Sequence, residues 1–238
     1  MSVTGVAVTE DVTEQDVPLT VAEPDGVPRG GIVVLHEARG VTDIVLGLVG
    51  TLADDGWLTV APHLYHRETA AADVDQEGAE RQVARLSGDT VLADCDAAFA
   101  WLARRGVDAD RVGVVGFDTG GTVALVVAAS RSLGAAVSVS GSGIREPLSP
   151  GLPALLEVAP ALGCPWLGLY GEDDPAIPAE QVEALRRAAA TSDVATDVVS
   201  YPGVGHRVGE TSPGADGGEP TSTDALARVL GWFDSHLR

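Results

Sequence analysis

The chain has 238 residues, 45% of them hydrophobic, which is enough to bury a sizeable core and makes a single domain over residues 1–238 the expected organisation. Fifteen basic residues, all arginine, against 35 acidic ones leave a formal net charge of −20; such a surface repels nucleic acid and anionic membranes, and it also suits a high-salt or high-GC host. No stretch reaches about 18 uninterrupted apolar residues and the N-terminus "MSVTGVAVTEDVTEQ" has neither the basic start nor the apolar centre of a signal peptide, so a cytoplasmic location is expected.

In chain order, segments near Val3–Thr9 and Val17–Ala22 are candidates for an antiparallel edge. After them, short Val-rich runs closed by Gly or Pro alternate with amphipathic stretches. The runs "GIVVLHE", "WLTVAP", "RVGVVGF", "AAVSVSG", "PWLGLYGE" and "ATDVVSYPG" read as buried strands. The stretches "TDIVLGLVGTLADDGW", "DTVLADCDAAFAWLARRG", "GTVALVVAASRSLG", "PAEQVEALRRAAATS" and "STDALARVLGWFDSHLR" read as helices, with Asp89 and Ser222 as N-caps and Gly106 after an arginine-rich last turn. Residues 141–160 and 207–221, rich in Gly, Pro and Ser, read as loops. Strand alternating with helix predicts an α/β fold, a mostly parallel sheet with helices on both faces.

Two cysteines, Cys95 and Cys164, are too few for a disulfide framework or a cysteine-based zinc site and read as packed thiols. The five histidines show no metal-ligand spacing and no dinucleotide fingerprint follows the first long strand, so no cofactor and no metal are expected. In open α/β sheets, functional residues gather at the carboxyl ends of strands. Those ends carry His36, Glu37, Ala38 and Arg39 after "GIVVL", Asp118 after "RVGVVGF", Asp173 and Asp174 after "PWLGLYGE", and His206 after "VVSYPGVG". Elbow residue, acid, histidine is the order of an α/β-hydrolase triad. In the turn Gly116-Phe117-Asp118-Thr119-Gly120-Gly121, small residues two before and two after Asp118 allow the tight strand-to-helix bend of a nucleophile elbow. The backbone N–H groups of Thr119 and Ala38 are then the expected oxyanion-hole donors.

The pieces "VVLHEARGV", "GWLTVAPHLYHR", "RVGVVGFDTGG", "PWLGLYGEDDPAIP" and "SYPGVGH" resemble the dienelactone hydrolases, α/β-hydrolases without a large cap, from about Gly31 to Arg238. The resemblance implies Asp174 as triad acid, His206 as triad histidine and Glu37 as the carboxylate that contacts the resting nucleophile. Members of that family use a cysteine, sometimes a serine, where this chain has Asp118, and commonly an aromatic where it has Arg39. Arg39 could bind a substrate carboxylate, pair with Asp118 or be a solvated loop residue. An elbow aspartate with this triad order is also similar to that of haloalkane dehalogenases, fluoroacetate dehalogenases and epoxide hydrolases, but Thr119 stands where haloalkane dehalogenases usually place a halide-holding tryptophan, and no insertion is large enough for a cap with tyrosines. Tyr65, His66 and Trp166 are the candidates to reach a substrate or leaving group. Three functions follow from these residues: a hydrolase of the dienelactone hydrolase type using Asp118 as nucleophile or base on a small substrate, an anionic one if Arg39 faces the pocket; an aspartate-nucleophile dehalogenase or epoxide hydrolase; and a binding protein that has lost its nucleophile. The expected partner is a small molecule, with the protein a monomer or homodimer.

Overall fold

The computed structural model describes residues 6–67, 74–206 and 218–237. Eight strands form one sheet: β1 (Val8–Glu14), β2 (Val17–Ala22), β3 (Gly31–Leu35), β4 (Leu58–Pro62), β5 (Val112–Phe117), β6 (Ala135–Val139), β7 (Trp166–Gly171) and β8 (Thr196–Tyr201). Their order is β1-β2-β4-β3-β5-β6-β7-β8, parallel from β4 to β8, with β1 and β2 antiparallel at one edge. The helices are α1 (Asp43–Asp54), α2 (Gln76–Ala84), α3 (Gly88–Ala103), α4 (Thr119–Ser130), α5 (Leu155–Val158), α6 (Ala179–Ala189) and α7 (Gly218–His236).

The pleat divides the core in two. Along β3, Val33 and Leu35 face a cluster built with α3, α4 and α6, while Ile32 and Val34 face a second cluster with α1 and α7. Helix α4 is apolar on every side and is buried from Thr119 to Ala128, so the segment leaving the elbow lies at the centre of the molecule. Both cysteines are buried and their thiols are pushed up by desolvation, Cys164 to about 12, which removes them as nucleophiles at neutral pH.

Four expectations about elements need correction. The first strand begins at Val8 rather than near residue 3, and residues 3–5 lie outside the described residues. Helix α3 is capped by Ser87 in a capping box with Thr90, because Ser87 Oγ reaches the Thr90 N–H whereas Asp89 already sits in the first turn. Helix α7 starts at Gly218, so Ser222 is inside it, and residues 207–217 of the expected loop lie outside the described residues. Helix α5 stands within the stretch 141–160. No helix among the described residues is long and apolar enough to cross a membrane.

Candidate active site

At Asp118 the backbone takes φ 52° and ψ −115°, a conformation costly for any residue with a Cβ and held here by its surroundings. The Asp118 N–H donates to the Val139 carbonyl (2.9 Å) and the Asp118 carbonyl accepts from the Thr122 N–H (3.1 Å), fixing the bend between β5 and α4. Glycines make the bend possible: a Cβ at Gly116 would lie 1.9 Å from the Gly120 carbonyl oxygen, and one at Gly120 would lie 2.1 Å from that of Leu35. Backbone atoms cannot yield as a flexible side chain would, so Gly120→Ala is expected to lose about 3 kcal/mol of stability. A fall in the urea midpoint of unfolding checks it, and a midpoint unchanged from the unmodified protein would refute the tight-elbow geometry.

His206 stands between two carboxylates. Its Nδ1 lies 2.6 Å from Asp174 Oδ2 and its Nε2 lies 3.1 Å from Asp118 Oδ1. Asp174 is 4% exposed and its other oxygen accepts the Ala176 N–H at 2.8 Å, so the acid's orientation is set by the loop that carries it. The β8 loop reaches that acid because Gly171 has no side chain; a Cβ there would meet the Val204 and Gly205 carbonyls at 2.3 and 2.2 Å. The Asp118 carboxylate, foremost, and the Asp174 carboxylate raise His206 to about 9 against the opposing effect of burial. At neutral pH the ring is therefore an imidazolium donating both N–H groups, one to each carboxylate.

Above Asp118 opens a cavity of about 320 Å³ lined by Glu37, Ala38, Arg39, Glu80, Asp118 and Thr119, with an apolar wall of Ala79, Val83, Ala84 and Leu148. Most of the residues expected at the site therefore meet at the C-terminal ends of β3, β5, β7 and β8. Tyr65 is 9% exposed, its ring 5.2 Å from that of His36, and its hydroxyl is pushed up by burial and by the nearby Asp118 charge; it is not among the residues that line the cavity. His66 turns away: its Nε2 is 3.2 Å from Asp94 Oδ1, and Arg67 grips both oxygens of that buried carboxylate at 2.7 and 2.9 Å. Trp166 is corrected outright. It is fully buried, donates Nε1–H to Ser138 Oγ at 3.0 Å and opens β7 at the end of the strand opposite Asp174, so it packs the core and does not reach a substrate.

Helix α2 supplies a wall of the cavity that the sequence does not announce. Its signals are weak but present: Asp75 caps it by accepting the Gly78 N–H at 2.8 Å, and Ala79 and Val83 share a face at i, i+4. In "QEGAERQVA" charged and amide side chains outnumber the apolar ones, so apolar periodicity alone does not find it.

A model of the Dienelactone hydrolase family matches residues 17–237. A Yersinia pestis protein provisionally named a carboxymethylenebutenolidase is 32% identical over 228 residues, covering 93% of this chain and 84% of that protein. The carboxymethylenebutenolidase of Rhodococcus opacus is 27% identical, covering 93% and 87%. A crystal structure from Klebsiella pneumoniae, provisionally named a dienelactone hydrolase, superposes with a TM-score of 0.86 at 30% identity over 98% of this chain and all of that one. The family match runs through every strand from β2 to β8 and on to the end of α7, and the chain belongs to the dienelactone hydrolase family, a family of hydrolases.

Proposed function

We propose that Asp118 is the nucleophile of a hydrolase for small substrates that carry a leaving group on a saturated carbon. The observation that carries this reading is the placement of His206 between Asp118 and Asp174, which makes it an imidazolium in the resting protein. A charged imidazole cannot take a proton from water. It does not need to in the first step, because a carboxylate attacks without deprotonation: an Asp118 oxygen bonds to the carbon and the carbon–leaving-group bond breaks, leaving an alkyl ester. Esterification weakens the hydrogen bond to Asp118, the largest cause of the raised His206 value, and removes the Asp118 charge that adds to it, so the ring loses its proton to solvent and becomes a base. His206 Nε2 then takes a proton from water whose oxygen attacks Asp118 Cγ. The oxyanion is held by the Ala38 and Thr119 N–H groups, and collapse expels an alkoxide that receives the proton from His206. Arg39 is the cavity cation that would hold a substrate carboxylate.

The names of the curated relatives favour a second reading, hydrolysis of a small lactone, with Asp118 and His206 directing water onto its carbonyl. A carboxylate is a poor nucleophile toward an ordinary ester, since the product would be a mixed anhydride, so this route runs without a covalent step. His206→Ala separates the two. Incubated with short-chain haloacids and epoxides, the variant is expected to accumulate an alkyl ester on Asp118, visible as a mass increase of the intact protein that maps to the peptide containing that residue. Turnover of esters by the unmodified protein with no adduct on the variant would replace the first reading with the second.

A further inference from the structure

His36 leaves β3 as the first residue of the loop that carries Glu37 and Ala38, and it is 1% exposed. Its two ring nitrogens have partners of opposite kind. Nε2 lies 3.0 Å from the Leu64 backbone nitrogen, which can only donate, so Nε2 carries no proton. Nδ1 lies 2.9 Å from the Glu37 carbonyl oxygen, which can only accept, so Nδ1 carries the proton. Desolvation holds the ring at about 4, which keeps this single neutral tautomer throughout the neutral range. The ring is also packed against Tyr65, and the Glu37 carbonyl receives a second bond from the Gly40 N–H at 3.0 Å.

The consequence follows from peptide geometry. In a planar trans peptide the C=O and the N–H point in opposite directions, and there is no cis peptide among the described residues. The carbonyl of the Glu37–Ala38 peptide is drawn toward the His36 ring, so its N–H, that of Ala38, is turned to the other side, where Ala38 lines the cavity beside Asp118 and Thr119. Ala38 N–H has no backbone acceptor among the described residues, as a donor kept for a ligand requires. We infer that His36 is the positioning residue of the oxyanion hole, fixing through its Nδ1–H the orientation of the Glu37–Ala38 peptide so that the Ala38 N–H faces the reacting oxygen. The inference rests on the reading of Ala38 as an oxyanion donor under the proposed function. With an apolar residue at 36 the peptide keeps only the Gly40 bond, and a flipped peptide would aim a carbonyl oxygen at the developing anion.

Paired variants test this. His36→Gln retains one donor and one acceptor on a side chain of similar reach, whereas His36→Leu fills the space and offers neither. His36→Leu is expected to lower kcat by about 10² with KM within a few-fold, as the loss of one oxyanion donor does. His36→Gln is expected to restore most of that loss. A crystal structure of His36→Leu is expected to show the Glu37–Ala38 peptide rotated, a readout that needs no substrate and holds whether or not an Asp118 adduct is ever found. An unmoved peptide, or a His36→Leu enzyme as active as the original, would overturn the inference. Where His36→Leu does not fold, nitrogen-15 NMR of the unmodified protein decides: a proton on Nδ1 and none on Nε2 supports it, and the reverse tautomer refutes it.

Discussion

Asp118→Asn is expected to lower turnover by about 10³-fold or more while preserving the fold, because it removes the proposed nucleophile and changes neither size nor shape. The same variant has a second readout that needs no substrate. The hydrogen bond to Asp118 is the largest cause of the raised His206 value of about 9 and the Asp118 charge adds to it, so the amide should let that value fall. Titration of the His206 ring signals by NMR measures this shift; an unchanged value would show that Asp118 and His206 are not bonded in solution. Stability follows with a definite sign. A histidine raised in the folded state contributes stability that is fully present below about pH 6.5 and is lost as pH rises through about 9. Urea unfolding of the unmodified protein should therefore weaken across that window, and Asp118→Asn should weaken less. Oxygen labelling then separates chemistry from binding: in one turnover in ¹⁸O-water with enzyme in excess, the covalent route places the label in Asp118, and direct attack by water places it in the product.

How much of this is legible in the chain depends on which physical signal each residue leaves. Strand ends are readable because a buried parallel strand must be a short apolar run and must stop at a polar or turn residue; Glu37, Asp118, Asp174 and His206 all stand just past such stops. The elbow is readable because only glycine survives where backbone meets backbone, as at Gly116 and Gly120. Trp166 misleads for a reason strand geometry explains: it opens a six-residue strand whose other end leads to the acid, and at about 3.3 Å per residue that separates it from the site by most of the sheet's depth. Helix α2 escapes because it is polar, and the contribution of His36 escapes because a tautomer is set by partners distant in sequence, here Leu64. The cavity's charge is likewise illegible, since Glu80 comes to line the same cavity as Arg39 only through the placement of α2.

Asp118→Cys should invert the chemistry. The resemblance to dienelactone hydrolases implies a cysteine at this position, and everything that a thiol needs is in place: a histidine nitrogen 3.1 Å from the elbow carboxylate, an acid 2.6 Å behind that histidine, and the N-terminus of α4. An imidazolium and a helix N-terminus both lower a thiol's pKa, so the variant's elbow should be a thiolate at neutral pH. A thiolate attacks acyl carbons well, and with p-nitrophenyl acetate the variant is expected to show a burst of p-nitrophenol and a transient thioester, at a rate about 10² or more above the unmodified protein. Toward haloacids it should fail. Alkylation of sulfur gives a thioether, which has no carbonyl for water to attack, so the variant should react once and stop with a permanent mass increase. An alkylated aspartate, by contrast, is an ester, and under the proposed mechanism hydrolysis of its own carbonyl regenerates it. Cleavage of p-nitrophenyl acetate by the unmodified protein as fast as by Asp118→Cys would contradict this division, because it would mean that the aspartate elbow already performs acyl chemistry and that its carboxylate is a base for water rather than an acceptor of alkyl groups.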